Sequence, residues 1–597
     1  MKKTVSLILA FLLSVGLFSA CGSQEQTQQL DGFSLWYGYN TENFMQDYSY
    51  PEKMENRDYT LRMYGIRDDV ESVQLMITPE KNIRSYEFTV DDLTSQSGEV
   101  FAKENMEVFS QWYVNVEESY NTAAGYGYYP DALVPMATLK KEKLNQISAG
   151  MNQGIWINAT IPEETKAGFY TGTGELTLDG RKYKVPIELT VYDAVMPEQV
   201  HTRSCFLIWF HLLPEAEGSA DLPVVQAYYD FLVEKRCMPM YPAPEIYSDY
   251  DRFIQWNLEN VINNPKISAY ALPYSYHTNE NDKRMLTEEK VMELLEKMAV
   301  KNVELRKSGD TTTNLFAKAY YYLGSIIDEP TGEALERVKE CDLIISRCKF
   351  AVADQYLKEY PDLYNALAGL PHVVTTSYKK ELLGSDTEGG VQAWCPQFQH
   401  WHTEAQRQEY YDRQNTTDRL MGEEAWWYGC NNPTAPFPTY HLDDDLIASR
   451  VLSWMQYDYG SEGNLYWCVN FPQEDMWENA HAIGGAVGEG NLTYPGAKFK
   501  LKHPLATMRL ESIREGCEDY EYFWMIEDAI AAYNGANGTD YDPKTLMAPL
   551  YDGLYNGMIP ERDNAEGFHN SRLEVLRILE LILSDPAAGI AALKEKQ

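Results

Sequence analysis

The chain has 597 residues, 44% hydrophobic and 23% charged. That ordinary globular balance excludes wholesale disorder and collagen-like repetition. Fifty-one Lys and Arg stand against 89 Asp and Glu, a formal net charge of −38. So acidic a surface repels phosphate backbones, which excludes nucleic acid as a partner and disfavours heavily sulfated glycans.

In chain order, the first element is a targeting segment. Lys2 and Lys3 precede an apolar run over residues 5–18, shorter than the about 20 residues a membrane span needs, and it reads as a signal peptide core. The run ends in Phe18-Ser19-Ala20-Cys21-Gly22, which resembles a bacterial lipoprotein cleavage site. Cys21 is then the lipidated first residue of the mature protein, and the polar residues up to 30 are a tether. This implies a protein held on a bacterial cell surface or outer membrane by its lipid alone.

Residues 31–198 carry a period of two. Val73, Leu75 and Ile77 alternate with polar neighbours, as do Tyr86, Phe88 and Val90, and Tyr183, Val185, Ile187, Leu189 and Val191. Turn residues such as Asp179-Gly180 separate the runs, which predicts an all-β sandwich. From 199 to 500, apolar strand-like runs alternate with helical ones. Candidate strands are 204–210, 238–241, 267–274, 319–327, 373–377, 391–394, 425–429 and 464–470. One intervening helix starts at Thr287, with Glu288 and Glu289 in its first turn and Val291, Leu294, Leu295 and Met298 on one face. Eight strands with helices between them predict a (β/α)8 barrel whose site lies at the strands' C-terminal ends. Residues 501–597 read as helices packed on the barrel. The fold class is thus α/β plus all-β in several domains.

The eight cysteines after Cys21 lie mostly in apolar runs without CxxC spacing, so neither a disulfide framework nor a zinc site is expected. Asp443-Asp444-Asp445 lacks calcium-loop spacing and reads as the start of a helix. His400-Trp401-His402 is too short to argue a metal site. No metal or cofactor is expected.

The chemistry concentrates at Asp328-Glu329-Pro330, where a tyrosine-rich strand runs into adjacent carboxylates and Thr331 stands ready to cap the next helix. This is the lip where barrel enzymes keep their sites. Solvated loop charges would give the same pattern. The seventh strand offers no acid before Asp443, and the eighth none before Glu474. Trp394, Trp427, Tyr466 and Trp467 form a candidate sugar platform, although large rings also fill barrels. Tyr378 and His277, just past strands, and Asn470, at the end of the last one, complete the candidate sugar contacts.

Asp328-Glu329-Pro330 after a tyrosine-rich strand resembles the catalytic signature of glycoside hydrolase family 123. Tyr466-Trp467-Cys468-Val469-Asn470 is similar to that family's last barrel strand, and Gly488-Glu489-Gly490-Asn491 with the residues up to Gly496 to its glycine-rich loop. Residues 509–522 are similar to a helix of the associated C-terminal domain family. The resemblance implies a retaining β-N-acetylgalactosaminidase using substrate-assisted catalysis, with glycans or glycoconjugates as substrates. Glu329 would be the general acid, raised by its ionised neighbour, and Asp328 would hold the acetamide. A glycosidase of other sugar specificity and a non-catalytic glycan-binding lipoprotein remain as alternatives. Arg514, Glu518 and Tyr522, spaced i, i+4, fit a charged helix packed by ion pairs without a catalytic part.

Overall fold

The computed structural model describes residues 32–49, 57–119, 125–278, 283–384, 390–416 and 422–597. The signal segment, Cys21 and its tether lie outside these residues.

The N-terminal part is two facing sheets. Strands Phe33–Gly38, Asp69–Pro79, Gln153–Ile161, Met106–Val116 and Gly127–Pro135 form one, and Leu61–Arg67, Arg181–Val195, Gly168–Leu178, Leu93–Ser95 and Val100–Phe101 form the other, with Tyr86–Val90 also pairing to Gly168–Leu178. Alternation fills the space between them: Val73, Leu75 and Ile77 meet Phe88, Val185, Ile187 and Leu189 in one core. The two-residue turn Asp179-Gly180 closes the pairing of Leu178 with Arg181, both turn residues at positive φ (47° and 83°), as a twisted hairpin requires.

The central part is a nearly closed parallel sheet. Its order is Ser204–Phe206, Gly463–Tyr466, Glu424–Gly429, Ala393–Trp394, His372–Val374, Ala319–Tyr322 and Tyr270–Ala271. Residues 238–241 lie in the remaining gap: Phe206 N donates to Met238 O (2.8 Å) and Ala271 N to Met240 O (3.2 Å). Helices Leu222–Glu234, Tyr250–Asn260, Glu288–Lys307, Glu333–Tyr356, Glu404–Gln414 and Leu446–Tyr459 separate successive strands. Between Val374 and Ala393 the described residues hold only the 3-10 turn Lys380–Leu382. The strands are shorter than the apolar runs that announced them. The run 319–327 keeps extended pairing only to Tyr322, then turns through Leu323–Ser325.

Residues two apart point into the ring: Tyr320 and Tyr322, Ala393 and Cys395, Trp426 and Tyr428, with Cys205, Met240, Val373 and Leu465, pack as one interior cluster. Their neighbours Tyr321, Trp394, Trp427 and Tyr466 face outward into the layer shared with the helices. This is the ordinary alternation of strand side chains.

The C-terminal part contains helices Met508–Asn537, Pro543–Met547, Ala565–Ser584 and Pro586–Lys594. The first is a junction. Arg514 donates to Val70 O (2.7 Å) and Ser72 Oγ (3.2 Å) of the sandwich, and pairs with Glu511 (2.8 Å) and Glu518 on its own helix. Asp519 receives Arg450 of the barrel helix (2.8 Å) and Arg572 of a later helix (2.7 Å), and Arg572 also reaches Glu71 of the sandwich. The ion pairs expected to dock this helix on the barrel therefore bind the sandwich as well. Asp444 spends its charge on Arg562 (2.7 Å), while Asp445 is the N-cap of Leu446–Tyr459. Thr287 stands at the N-cap foreseen for it, but its hydroxyl bonds Ser275 O (3.2 Å). Glu333–Tyr356 starts from Gly332, without the Thr331 cap. All eight cysteines after Cys21 are free thiols. Among the described residues no helix is long and apolar enough to cross a membrane, and no group of three or more His, Cys, Asp or Glu could hold a metal.

Candidate active site

A cavity of about 580 Å³ opens at the C-terminal ends of the barrel strands. Asp328 and Glu329 stand on its rim, both exposed, in the loop that leaves Tyr322. Glu329 has φ +42°, a left-handed conformation uncommon for a residue with a Cβ and one that clusters at functional sites.

One hydroxyl fixes the pair. Thr375 Oγ1 donates to Asp328 Oδ1 (2.7 Å) and accepts from the Glu329 backbone N–H (3.1 Å). The Glu329 carboxylate turns to other partners: Gln397 Nε2 donates to Oε1 (2.9 Å), as does the Tyr428 hydroxyl. Gln397 is itself steadied by Gln399 (2.6 Å). The two adjacent carboxylates are therefore held by groups from different strand ends. Although the residue is open to solvent, partial desolvation of its carboxyl against the cavity wall raises Asp328 above its ordinary value, the Thr375 bond pulls it down and the Glu329 charge pushes it up. Tyr428 is raised as well, by burial and then by its bond to Glu329.

Two glycines allow the lining. A Cβ on Gly324 would lie 2.2 Å from the Tyr322 hydroxyl, so glycine lets that ring rise into the cavity. Gly490, at φ +72°, faces Trp467, and a Cβ there would lie 2.6 Å from the indole.

Of the residues singled out in the sequence, Asp328, Glu329 and Trp467 line the cavity. The others do not. Trp394 is fully buried behind the barrel wall, its indole N–H on Glu423 (2.7 Å). Trp427 packs edge-on against Trp401 and Phe398, at 5.5 and 5.8 Å. Tyr378 lies against Trp394 with the Arg413 guanidinium 4.8 Å over its ring. Strand alternation puts Trp394 and Trp427 on the outer face. Tyr466 is buried and donates to Glu489 Oε2 (3.0 Å). Asn470 clamps the Trp209 backbone, accepting its N–H (2.8 Å) and donating to its carbonyl (3.3 Å). His277 is exposed in the hairpin Tyr276–Thr278 with Arg284–Leu286 and lines no part of the cavity.

The cavity also takes Trp209, Tyr322, Thr375, Tyr428, Cys430 and Glu489, which sequence reasoning had not placed in the site. Strand parity was the available signal for Tyr322 and Tyr428. Glu489 corrects the expectation that the last two strand ends bring no acid. It arrives on the glycine-rich loop and is only 1% exposed. Its oxygens hold the Trp467 indole N–H and the Tyr466 hydroxyl, and His441 Nε2 lies 3.6 Å away. The Cys430 thiol is pushed up to about 12, mainly by burial and then by Glu489, Glu329 and Asp328. It stays protonated near neutrality.

An acid pair at the open end of a parallel barrel, beside an aromatic wall, is the arrangement of an enzyme that cleaves sugars. Family comparisons agree. Residues 41–178 match the glycoside hydrolase 123 N-terminal domain and residues 246–526 the glycoside hydrolase 123 catalytic domain. The chain belongs to glycoside hydrolase family 123. A search of curated proteins finds no match. Among solved structures, a family 123 glycoside hydrolase from Clostridium perfringens, studied for glycolipid glycan hydrolysis, superposes with TM-score 0.64 at 15% identity, over 95% of this chain and 100% of that one. A β-glucuronidase from Parabacteroides merdae gives TM-score 0.25 at 8% identity, over 82% and 52% of the two chains, too little to bear on the fold.

Proposed function

We propose that this chain is a retaining β-N-acetylgalactosaminidase that removes terminal β-linked N-acetylgalactosamine by substrate-assisted catalysis. The observation that carries the reading is the division of partners at the acid pair: Thr375 for Asp328, Gln397 and Tyr428 for Glu329. Two carboxylates on neighbouring residues cannot flank a bond from opposite faces, as ordinary glycosidases require. They can share one face. Glu329 gives its proton to the glycosidic oxygen and later takes one from water. Asp328 accepts the acetamide N–H while the acetamide oxygen attacks the anomeric carbon. Release of terminal sugars from glycolipid glycans, the substrates of the Clostridium perfringens relative, fits this chemistry. In this reading residues 238–241 complete an eight-stranded (β/α)8 ring.

A second reading rests on Glu489. A third carboxylate lining the same cavity could serve as the nucleophile of an ordinary double displacement. Its burial and its occupied oxygens favour a structural part, holding Trp467 in the wall. Aryl glycosides decide. On the first reading aryl β-N-acetylgalactosaminide is cleaved and aryl β-galactoside is not. Equal cleavage of both returns the nucleophile to an enzyme carboxylate.

We also propose that the mature protein is anchored outside a bacterial cell through lipid on Cys21. Cys21→Ser should move it from the membrane fraction to the soluble one after signal cleavage. Retention of the variant in membranes would remove the anchor.

A further inference from the structure

One end of the sandwich is basic, in a chain whose formal net charge is −38. It is the end at which Gly32, the first described residue, enters the fold. The Gly32 carbonyl accepts the Glu80 N–H (2.9 Å), and the Phe33 ring stands edge-on to Tyr183 (4.9 Å). Hydrogen bonds gather further segments here. Asp179 Oδ1 accepts the backbone N–H of Arg84 (2.9 Å), which joins the turn Asp179-Gly180 to the connection before Tyr86. Ile83 and Ile147 exchange backbone bonds (2.8 and 3.0 Å), and Asn145 Nδ2 donates to Tyr86 O (2.7 Å). These bring in the short helix Met136–Glu142 and the loop after it.

These segments carry Lys81, Lys141, Lys143, Arg181 and Lys184, all exposed and without an ion-pair partner among the described residues. Arg84, Lys140 and Lys182 stand with them, answered by Asp179 (3.7 Å), Glu87 (2.6 Å) and Glu175 (2.7 Å). The acids left over are Glu80 and Glu142, so cations stay in excess. Leu144, 44% exposed, follows Lys143 at the C-cap of the short helix. Cations around an exposed apolar side chain suit a lipid headgroup layer, where phosphate meets acyl chain. The acidic remainder of the molecule does not cancel this local field, because at physiological salt charges more than about 8 Å away are screened.

We infer that this basic end is a docking face for the anionic headgroups of the bilayer in which the protein is anchored. The inference rests on the proposed lipid at Cys21. From Cys21 to Gly32 the chain advances eleven residues, a reach of at most about 40 Å. The anchor therefore brings this end of the sandwich to the membrane. Each Lys or Arg close to an anionic bilayer is worth about 5-fold in binding. The tether supplies a high effective concentration, and the face turns it into one orientation.

The chain from Cys21 onward, coupled through the Cys21 thiol to a maleimide lipid, tests the face without relying on lipidation in the cell. The other thiols are buried or, at Cys430, held protonated. The protein is displayed on vesicles of phosphatidylglycerol or of phosphatidylcholine and treated with a water-soluble amine-acylating reagent. Lys81, Lys141 and Lys143 should label about 5-fold more slowly on phosphatidylglycerol, and about 0.5 M salt should restore their rates. Lys166, which leads into Gly168–Leu178 at the end opposite Asp179, should label alike on both vesicles. Lys141→Glu, Arg181→Glu and Lys184→Glu together should remove the protection of Lys81 and leave turnover of an aryl glycoside unchanged. Equal labelling on the two vesicles overturns the face. So does slowing at Lys166 that matches Lys81, or protection that survives both salt and the charge reversals. Protection by a soluble sulfated polysaccharide and not by phosphatidylglycerol overturns the lipid assignment and gives the face to a glycan. Failure of the anchor shows separately: membranes from Cys21→Ser cells, washed in about 0.5 M salt to release the face, report the lipid alone.

Discussion

Thr375 holds the carboxylate of one acid and the backbone of the other through a single hydroxyl. Its bond to Asp328 works against burial, which raises that carboxyl. On the proposed mechanism Asp328 must be ionised to accept the acetamide N–H, so its titration should shape the acid limb of the pH–rate profile. Thr375→Val removes the lowering bond. Asp328 then rises further, and the acid limb of kcat/KM should move to higher pH. A limb that stays in place would separate Asp328 from the essential ionisation. Glu329→Gln should lower turnover by about 10²–10⁴-fold, with much of the loss recovered on dinitrophenyl glycosides, whose leaving group needs no proton. Asp328→Asn should be impaired on good and poor leaving groups alike. The acids were legible because Asp-Glu-Pro interrupts a strand-like run. The rings were not, because a run of aromatic residues does not say which parity faces inward. In Glu424–Gly429 the interior takes Trp426 and Tyr428 and leaves Trp427 outside. One register step separates a cavity residue from a core one.

The helix Met508–Asn537 shows how an element far along the chain shapes the site. Arg509 is buried, pairs with Asp131 of the sandwich (2.9 Å), and donates to the carbonyls of Tyr440 (2.7 Å), Gly488 (3.0 Å) and Asn491 (2.6 Å). It thereby pins the loop that carries Glu489. Arg509→Lys keeps the charge but replaces a planar fork of five donors with three. The variant should lose about 1–3 kcal/mol of stability, read by denaturant unfolding, and some activity as the loop loosens. Wild-type values in both assays would remove the loop from the site's support. The same helix holds a pH-sensitive charge. Burial pushes Glu518 up to about 8, with Asp69 adding and Arg514 opposing. A carboxyl raised on folding contributes stability that is full below its unfolded value and lost as pH rises through the folded one. The wild-type melting temperature should therefore fall between pH 5 and 9 relative to that of Glu518→Gln. Parallel curves would refute the shift. The i, i+4 spacing made this helix readable as a charged packing surface. Its sandwich partners, Asp69 bonded by Tyr522 and Asp131 paired with Arg509, were not readable, because they lie hundreds of residues away and no local pattern marks them.

At the scale of the whole molecule, sandwich, barrel and C-terminal helices meet around one long helix, and the barrel's open end is left to the catalytic cavity. The division of labour between substrate and protein is the last thing to test. If the 2-acetamido oxygen is the nucleophile, reactivity must follow its basicity. Successive fluorination of the acetyl methyl withdraws electron density from that oxygen, so kcat should fall stepwise from acetyl through monofluoro and difluoro to trifluoroacetyl substrates. A thiazoline shaped like the bicyclic intermediate should inhibit competitively and bind more tightly than substrate, since the site is complementary to the transition state. Asp328→Asn should weaken that inhibitor, because on this mechanism the carboxylate would be the partner of its ring nitrogen. Attack by the acetamide and then by water inverts the anomeric carbon twice, so the first product seen by NMR must be the β-anomer. An α-product, or a fluorosugar trapped covalently on Glu489 or any other carboxylate, would transfer the nucleophile's part from the substrate to the enzyme.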